Sequence, residues 1–261
     1  FYTLDGARAL RAERLLFENG RLVVLVAGIP FKCPAAPYET ALLLDADFRR
    51  RGLAERVRID IYTPEPGPMP VAGPEVSAQL RAMIESRGIG YYPNHPVTRV
   101  DAANRKIVFA NGVEADYGLL AYVPPHRAPA VVRASPLAGE SGWIPVDPHT
   151  LQTRFPGVYA VGDAATIMLK MGKPLPKAGV LAHGEAEVVA HNIAAEIIGR
   201  AERRSFDGHG ECFIETGNGR AGFGSGNFYA EPTPKIRLRQ PSSILHYGKV
   251  AFEKYWLFRW F

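Results

Sequence analysis

RLVVLVAG at residues 21–28, IPFKCPAAPYE at 29–39 and TALLLDADFRRRG at 40–52 decide the fold. The first piece is an unbroken apolar run rich in β-branched residues, the pattern of a parallel strand buried on both faces. The last has helical spacing and closes on Gly52. Strand, turn and helix in that order open a dinucleotide-type βαβ unit. Such a turn needs glycines so that its backbone can approach a pyrophosphate. Here only Gly28 is present, and Pro30, Lys32, Cys33, Pro34 and Pro37 fill the turn. Nucleotide binding at this turn is read as lost, with cysteine chemistry as the candidate replacement.

Working outward, residues 5–17 read as a helix, Leu22–Ala27 as the buried strand and Thr40–Arg51 as the following helix. Val57–Tyr62 alternates like a strand, Thr63–Pro74 is a proline-rich loop, and Glu75–Arg87 is a helix closed by Gly88. Ile89–Tyr92 and Val97–Asp101 read as short strands. Lys106–Phe109 and Val113–Asp116 flank Asn111-Gly112 as a hairpin, and Leu119–Val123 is a buried strand. Strands alternating with helices predict a Rossmann-like parallel sheet with an antiparallel insert. A proline-rich link, Pro124–Pro136, follows. Phe155–Ala164 reads as a short buried strand ending in Gly162-Asp163, and Lys177–Glu185 opens a long helix to Ile198. Glu211–Glu215, Asn227–Ala230 and Ile236–Arg239 read as strands in a C-terminal region of different character.

The chain has 261 residues, 47% hydrophobic and 22% charged, which is enough apolar material for one large core or two smaller ones. A net charge of +5 is spread along the chain; it could favour an anionic substrate or a membrane surface, but reads first as an ordinary basic surface and gives nucleic-acid binding no support beyond mild basicity. No run of 18 apolar residues predicts a membrane-spanning helix. No metal-ligand spacing, G-x-S-x-G elbow or P-loop is present. Two cysteines, Cys33 and Cys212, are too few for a disulfide scaffold and composition alone reads them as buried thiols. The chain starts at Phe1, which suggests processing or a fragment.

VYAVGD at 158–163, shortly before a helix start, resembles the second flavin-contacting motif of flavoproteins with two dinucleotide domains. With FKCPAAPYE at 31–39 and ECFIETG at 211–217, the chain resembles the sulfide:quinone oxidoreductase and flavocytochrome c sulfide dehydrogenase branch of that superfamily. The ending HYGKVAFEKYWL is similar to the quinone-reducing, membrane-associated members. The opening βαβ unit of that family, with its G-x-G-x-x-G loop, has no counterpart in residues 1–20, so the amino-terminal half of the FAD domain is expected to be missing. GNGRAG at 217–222 matches the letters of that loop, but FGSG follows it and cannot start a helix, so it reads as a glycine-rich turn.

The resemblance implies FAD as cofactor and a redox pair of Cys33 and Cys212 facing it. Hydrosulfide would open their disulfide to a persulfide and a thiolate. Lys32 would favour the Cys33 thiolate by its charge. Glu39 is a proton acceptor near the thiols or a helix-dipole partner. Asp163 accepts from ribityl hydroxyls or caps a helix, and Gly162 permits close approach of the backbone. Ala178 and Gly179 lie where free amides and the helix dipole stabilise negative charge, with Lys177 adding charge or standing alone at the surface. His183 shuttles protons or is structural. Phe213 lines a quinone slot or a core. The aromatic and basic tail Tyr247–Phe261 suits a membrane interface, although its charges do not gather on one helical face; packing on the body or on a partner subunit is the alternative.

The expected organisation is a linker helix at 1–20, a dinucleotide-type α/β domain at 21–125, the back half of an FAD domain at 126–203, and a C-terminal α+β interface region at 204–261. The expected function is sulfide oxidation with electrons passed to a quinone or a c-type haem, peripherally on a bacterial-type cytoplasmic membrane, with a homo-oligomer possible. The rivals are an NAD(P)H-dependent flavoprotein reductase and a flavin-free binding module.

Overall fold

A computed structural model describes residues 1–261. The first part runs α1 (Leu4–Leu16), β1 (Gly20–Val26), α2 (Ala36–Arg50), β2 (Val57–Tyr62), α3 (Pro74–Glu85), β3 (Gly90–Tyr92), β4 (Val97–Asp101), β5 (Lys106–Phe109), β6 (Glu114–Asp116) and β7 (Leu119–Val123). Four of these strands form a parallel sheet in the order β3-β2-β1-β7. The unbroken apolar run fits because β1 lies at the centre: Leu22 through Val26 have no exposed surface. Strand alternation divides them between two cores. Leu22 and Val24 pack with Tyr38, Leu42 and Phe48 of α2 and Leu80 and Ile84 of α3. Val23 and Leu25 pack with Ile107, Phe109 and Ala115 of the antiparallel β4-β5-β6 sheet. The insert therefore covers the face that the helices leave open.

The second part contains α4 (Ala130–Arg133), β8 (Ile144–Pro145), β9 (Ala165–Thr166) and α5 (Gly179–Ile197). It has its own core of Leu151, Ile167, Leu175, Leu181, Val188 and Phe206. The strand expected at Phe155–Ala164 does not form. Tyr159 makes one isolated bridge to Gln152, and Gly162–Ala164 is a 3-10 turn. A strand needs a continuous ladder, and no neighbouring strand runs beside this segment. The proline-rich link also holds a short helix, α4, that the prolines concealed.

The chain ends in β10 (His209–Gly217), β11 (Arg220–Asn227), β12 (Lys235–Ser242) and α6 (Ser243–Trp260). The three strands form an antiparallel sheet in chain order. The glycine-rich segment is mostly strand β11, with a tight turn only at Gly217–Arg220, because pairing on both sides overrides its weak strand propensity. A β-carbon on Gly217 would lie 2.3 Å from that of Ala46, so glycine lets this turn sit against α2. The strand expected at Asn227–Ala230 is a turn beyond residue 227, where the ladder to β12 ends. The helix expected from Thr40 begins at Ala36 instead, since Pro37 suits a first helical turn.

Candidate functional site

Parallel strands deliver their following loops to one edge of a sheet, where ligands of such folds bind. The loop after β1 carries Cys33 there. The Cys33 amide donates to the Lys177 carbonyl (2.7 Å), and its carbonyl accepts from the Ala36 amide (2.9 Å). Cys33 itself has φ 54°, in the left-handed region. The turn is thereby fastened to the segment that opens α5. On the opposite side stands β10. Its alternation turns Cys212 and Ile214 toward a cavity and Phe213 away, onto Phe223 (4.9 Å) and Phe252 (6.3 Å). Phe213 is a packing residue and does not line the cavity.

That cavity measures about 340 Å³. Its walls are the Cys33 turn, the 65–76 segment, residues 173–181 and the inner face of β10–β12. Cys33 and Cys212 both line it. Both thiols are free, so the direct bridge expected between them is not formed. Each thiol is exposed to the cavity yet hemmed in by its walls, and this enclosure governs its titration. Burial pushes the Cys33 thiol up, with the Glu39 charge adding to it. Burial pushes Cys212 up to about 12, and the Cys33 and Glu39 charges reinforce it. Lys32 was expected to favour the Cys33 thiolate; its side chain lies in solvent and desolvation prevails.

Glu39 lies in the first turn of α2. Its Oε1 accepts from the Glu215 amide at 2.6 Å. Burial raises its carboxyl, opposed by that hydrogen bond and by Lys249. A carboxyl so placed can hold a proton beside two thiols.

The 162–179 segment is built around Lys177, which is 8% exposed and is not a surface lysine. Its Nζ donates to the carbonyls of Asp163 (3.0 Å) and Ala165 (2.7 Å) and sits 3.9 Å from the centre of the Trp143 ring. Burial draws it down to about 8, against the pull of Asp163 and Glu185. Gly162 has φ 64°, and a β-carbon there would meet that of Ala182 at 3.0 Å. The Asp163 side chain is exposed and caps no helix: the N-cap of α5 is Ala178, without a side-chain cap. Gly179 opens α5 onto free space. His183 packs edge-on to Trp256 (4.7 Å) and Trp260 (5.1 Å) of α6, a structural role.

Among the buried carboxylates that escaped the sequence reading, Glu185 and Glu65 bear on the site. Glu185 Oε2 accepts from the Gly162 amide at 2.6 Å and fixes that turn. Its signal was present: Leu181, Glu185, Val188, Asn192 and Ala195 repeat at helical spacing and form the buried stripe of α5. Glu65 lines the cavity and accepts from the Tyr38 hydroxyl at 2.6 Å. Nothing in its proline-rich surroundings marked it as buried.

The family model described as pyridine nucleotide-disulphide oxidoreductase matches residues 41–186, more than half of the chain. The chain belongs to the pyridine nucleotide-disulphide oxidoreductase family. Within reach of this family, the chain is 24% identical to the mitochondrial sulfide:quinone oxidoreductase of Mus musculus over 83% of its length and 48% of the relative. It is 26% identical to the sulfide-quinone reductase of Aquifex aeolicus over 94% of its length and 59% of the relative. The chain spans about half the length of the curated relatives it matches. The solved Aquifex aeolicus sulfide:quinone oxidoreductase superposes with a TM-score of 0.81 at 24% identity, covering 95% of this chain and 60% of that one. A ferredoxin reductase from Rhodopseudomonas palustris gives a TM-score of 0.60 at 22% identity, over 86% and 51%. These likenesses establish a mixed α/β fold shared with the family's reductases.

Proposed function

We propose that this chain is the thiol-bearing part of an FAD-dependent oxidoreductase that oxidises sulfide through Cys33 and Cys212 and passes electrons to a quinone. The observation that carries the reading is that two thiols remote in sequence line one cavity from its two sides, beside the uncapped start of α5. The names of the relatives supply the substrates.

The residues at 162–179 fit FAD. The close approach allowed at Gly162, the exposed Asp163 carboxylate, the open amides at Ala178 and Gly179 and the positive Lys177 together suit a ligand with hydroxyls and a negative ring edge. FAD, when bound, supplies a two-electron acceptor.

The chemistry of the pair follows from thiol exchange. Hydrosulfide attacks one sulfur of the oxidised pair, leaving a persulfide on that cysteine and a thiolate on the other. A second hydrosulfide removes the outer sulfur as HSS⁻ and leaves both cysteines reduced. Rejoining the sulfurs releases two electrons, so two HS⁻ yield HSS⁻, one proton and two electrons. The free thiols of the structure correspond to the reduced state. The cavity disfavours thiolate, so the reduced pair rests as protonated thiols. Glu39 takes the proton, as its raised carboxyl suits it to do.

Support for an apolar acceptor and a lipid surface comes from α6. No residue of that helix is buried, and Tyr247, Tyr255, Phe258 and Phe261 are all exposed. No helix is long and apolar enough to cross a membrane.

Anaerobic rapid mixing of the whole flavoprotein with sulfide tests the reading. Sulfide bleaches the flavin, and Cys33→Ser and Cys212→Ser each abolish that bleaching. Full activity in either variant, or rapid bleaching by NADH alone, overturns the proposal.

A further inference from the structure

Three hydrogen bonds hold the Cys33 turn. Two are backbone pairs, through Lys177 and Ala36. The third is made by a side chain: the Lys32 amide donates to His126 Nδ1 at 2.8 Å. Topology explains the meeting. β1 and β7 are parallel neighbours, and the Ala27 amide still pairs with the Val123 carbonyl at 3.0 Å, so the loops leaving both strands emerge side by side. One carries Cys33 and the other His126.

A ring nitrogen accepts only while it carries no proton, so this bond needs Nδ1 bare and the proton of the neutral ring on Nε2. Cys33 needs outside support, because residues with a β-carbon hold the left-handed region only when their surroundings enforce it. We propose that His126 is a positioning residue for Cys33: by accepting the Lys32 amide it holds the turn that presents the thiol to the cavity, and protonation of Nδ1 releases that turn. The consequence for catalysis rests on the redox role proposed for Cys33; the contact itself does not.

The groups facing His126 decide when release occurs. Tyr2 packs its ring edge-on at 4.7 Å and contributes a neutral phenol. Burial first, and the Lys32 charge second, draw the imidazole below the ordinary histidine range, while the Asp163 carboxylate pulls the other way. The ring is therefore neutral at pH 7, and release requires a pH below the ordinary histidine range.

Amide hydrogen exchange on the full chain tests this. Between Pro30 and Pro34 the turn has only the amides of Phe31, Lys32 and Cys33, so few signals need resolving. After correction for intrinsic pH dependence, wild-type protection at Lys32 is expected to fall at least ten-fold as the imidazole titrates. His126→Asn, whose Oδ1 can stand in for Nδ1 without titrating, keeps the protection at both pH values. His126→Leu lacks it throughout. In a Cys212→Ser background, iodoacetamide should label Cys33 several-fold faster in His126→Leu, and the Asn variant should restore the slow rate. Wild-type protection that stays flat through the imidazole titration overturns the proposal, and needs no variant to fold. Protection in His126→Leu equal to wild type overturns it as well. Neither readout needs sulfide or flavin, so failure here is distinct from failure of Cys33→Ser to abolish sulfide oxidation.

Discussion

Glu39 Oε1 takes the amide hydrogen of Glu215 at 2.6 Å, joining the first turn of α2 to the strand that carries Cys212. The helix follows directly from the Cys33 turn, so one carboxylate spans the two sides of the thiol site. From behind, the buried Glu215 carboxylate accepts from His246 Nδ1 (2.9 Å) and lies 3.6 Å from Lys249 Nζ. The strand is thus held by α2 on one side and α6 on the other.

Replacing Glu39 separates its two contributions. Glu39→Ala strands the Glu215 amide and should cost about 1–3 kcal/mol, seen as a lower Tm. Glu39→Gln keeps an acceptor and should keep the Tm. It also removes a negative charge that raises both thiols, so iodoacetamide labelling of Cys33 at a fixed alkaline pH should quicken. Unchanged labelling would remove Glu39 from the electrostatics of the site.

Cys212 should label unusually slowly. With its thiol at about 12, its thiolate fraction at pH 8 is about one in ten thousand. In the Cys33→Ser chain the labelling rate should go on rising through pH 10. A plateau near the ordinary thiol range would contradict its enclosure.

Lys177 gives stability a definite dependence on pH. Its folded pKa, about 8, is below the ordinary 10.5, so the unfolded chain binds the proton more tightly between those values. Its contribution to stability therefore rises as pH climbs from 8 to 10.5, by an amount of order 3 kcal/mol. Denaturant melts of wild type and Lys177→Met across that range should show a difference with this slope. A difference independent of pH would mean that Lys177 is not buried as a cation.

The exposed end of α6 should govern attachment to lipid. Phe258 and Phe261 are 87% and 95% exposed, and fully burying such a ring is worth about 1.5–3 kcal/mol. Phe258→Ser with Phe261→Ser should therefore weaken sedimentation with phosphatidylcholine–phosphatidylglycerol vesicles at least ten-fold. Equal sedimentation of the variant and wild type would leave α6 as a packing helix.

The parallel sheet was legible because β1 and β7 announce themselves as apolar runs and the Asn111-Gly112 turn defines the insert. The Cys33 turn was legible as a departure from a glycine loop. Its electrostatics were not, since a neighbouring lysine in sequence says nothing about which way that lysine points. Lys177, one residue before a helix cap, gave no local sign that its ammonium would be buried between two carbonyls and Trp143. Phe155–Ala164 misled because strand-like composition does not supply a partner strand. His126 could not be linked to Cys33 from sequence, because the link is made only by the adjacency of β1 and β7.

Mild oxidation of the whole protein, followed by proteolysis without reductant and mass analysis of the fragments, tests the central claim most directly. The account predicts that the peptides bearing Cys33 and Cys212 are recovered joined, sulfur to sulfur or through added sulfur atoms. Recovery of the two peptides separate, each cysteine independently oxidised or alkylated, would contradict it.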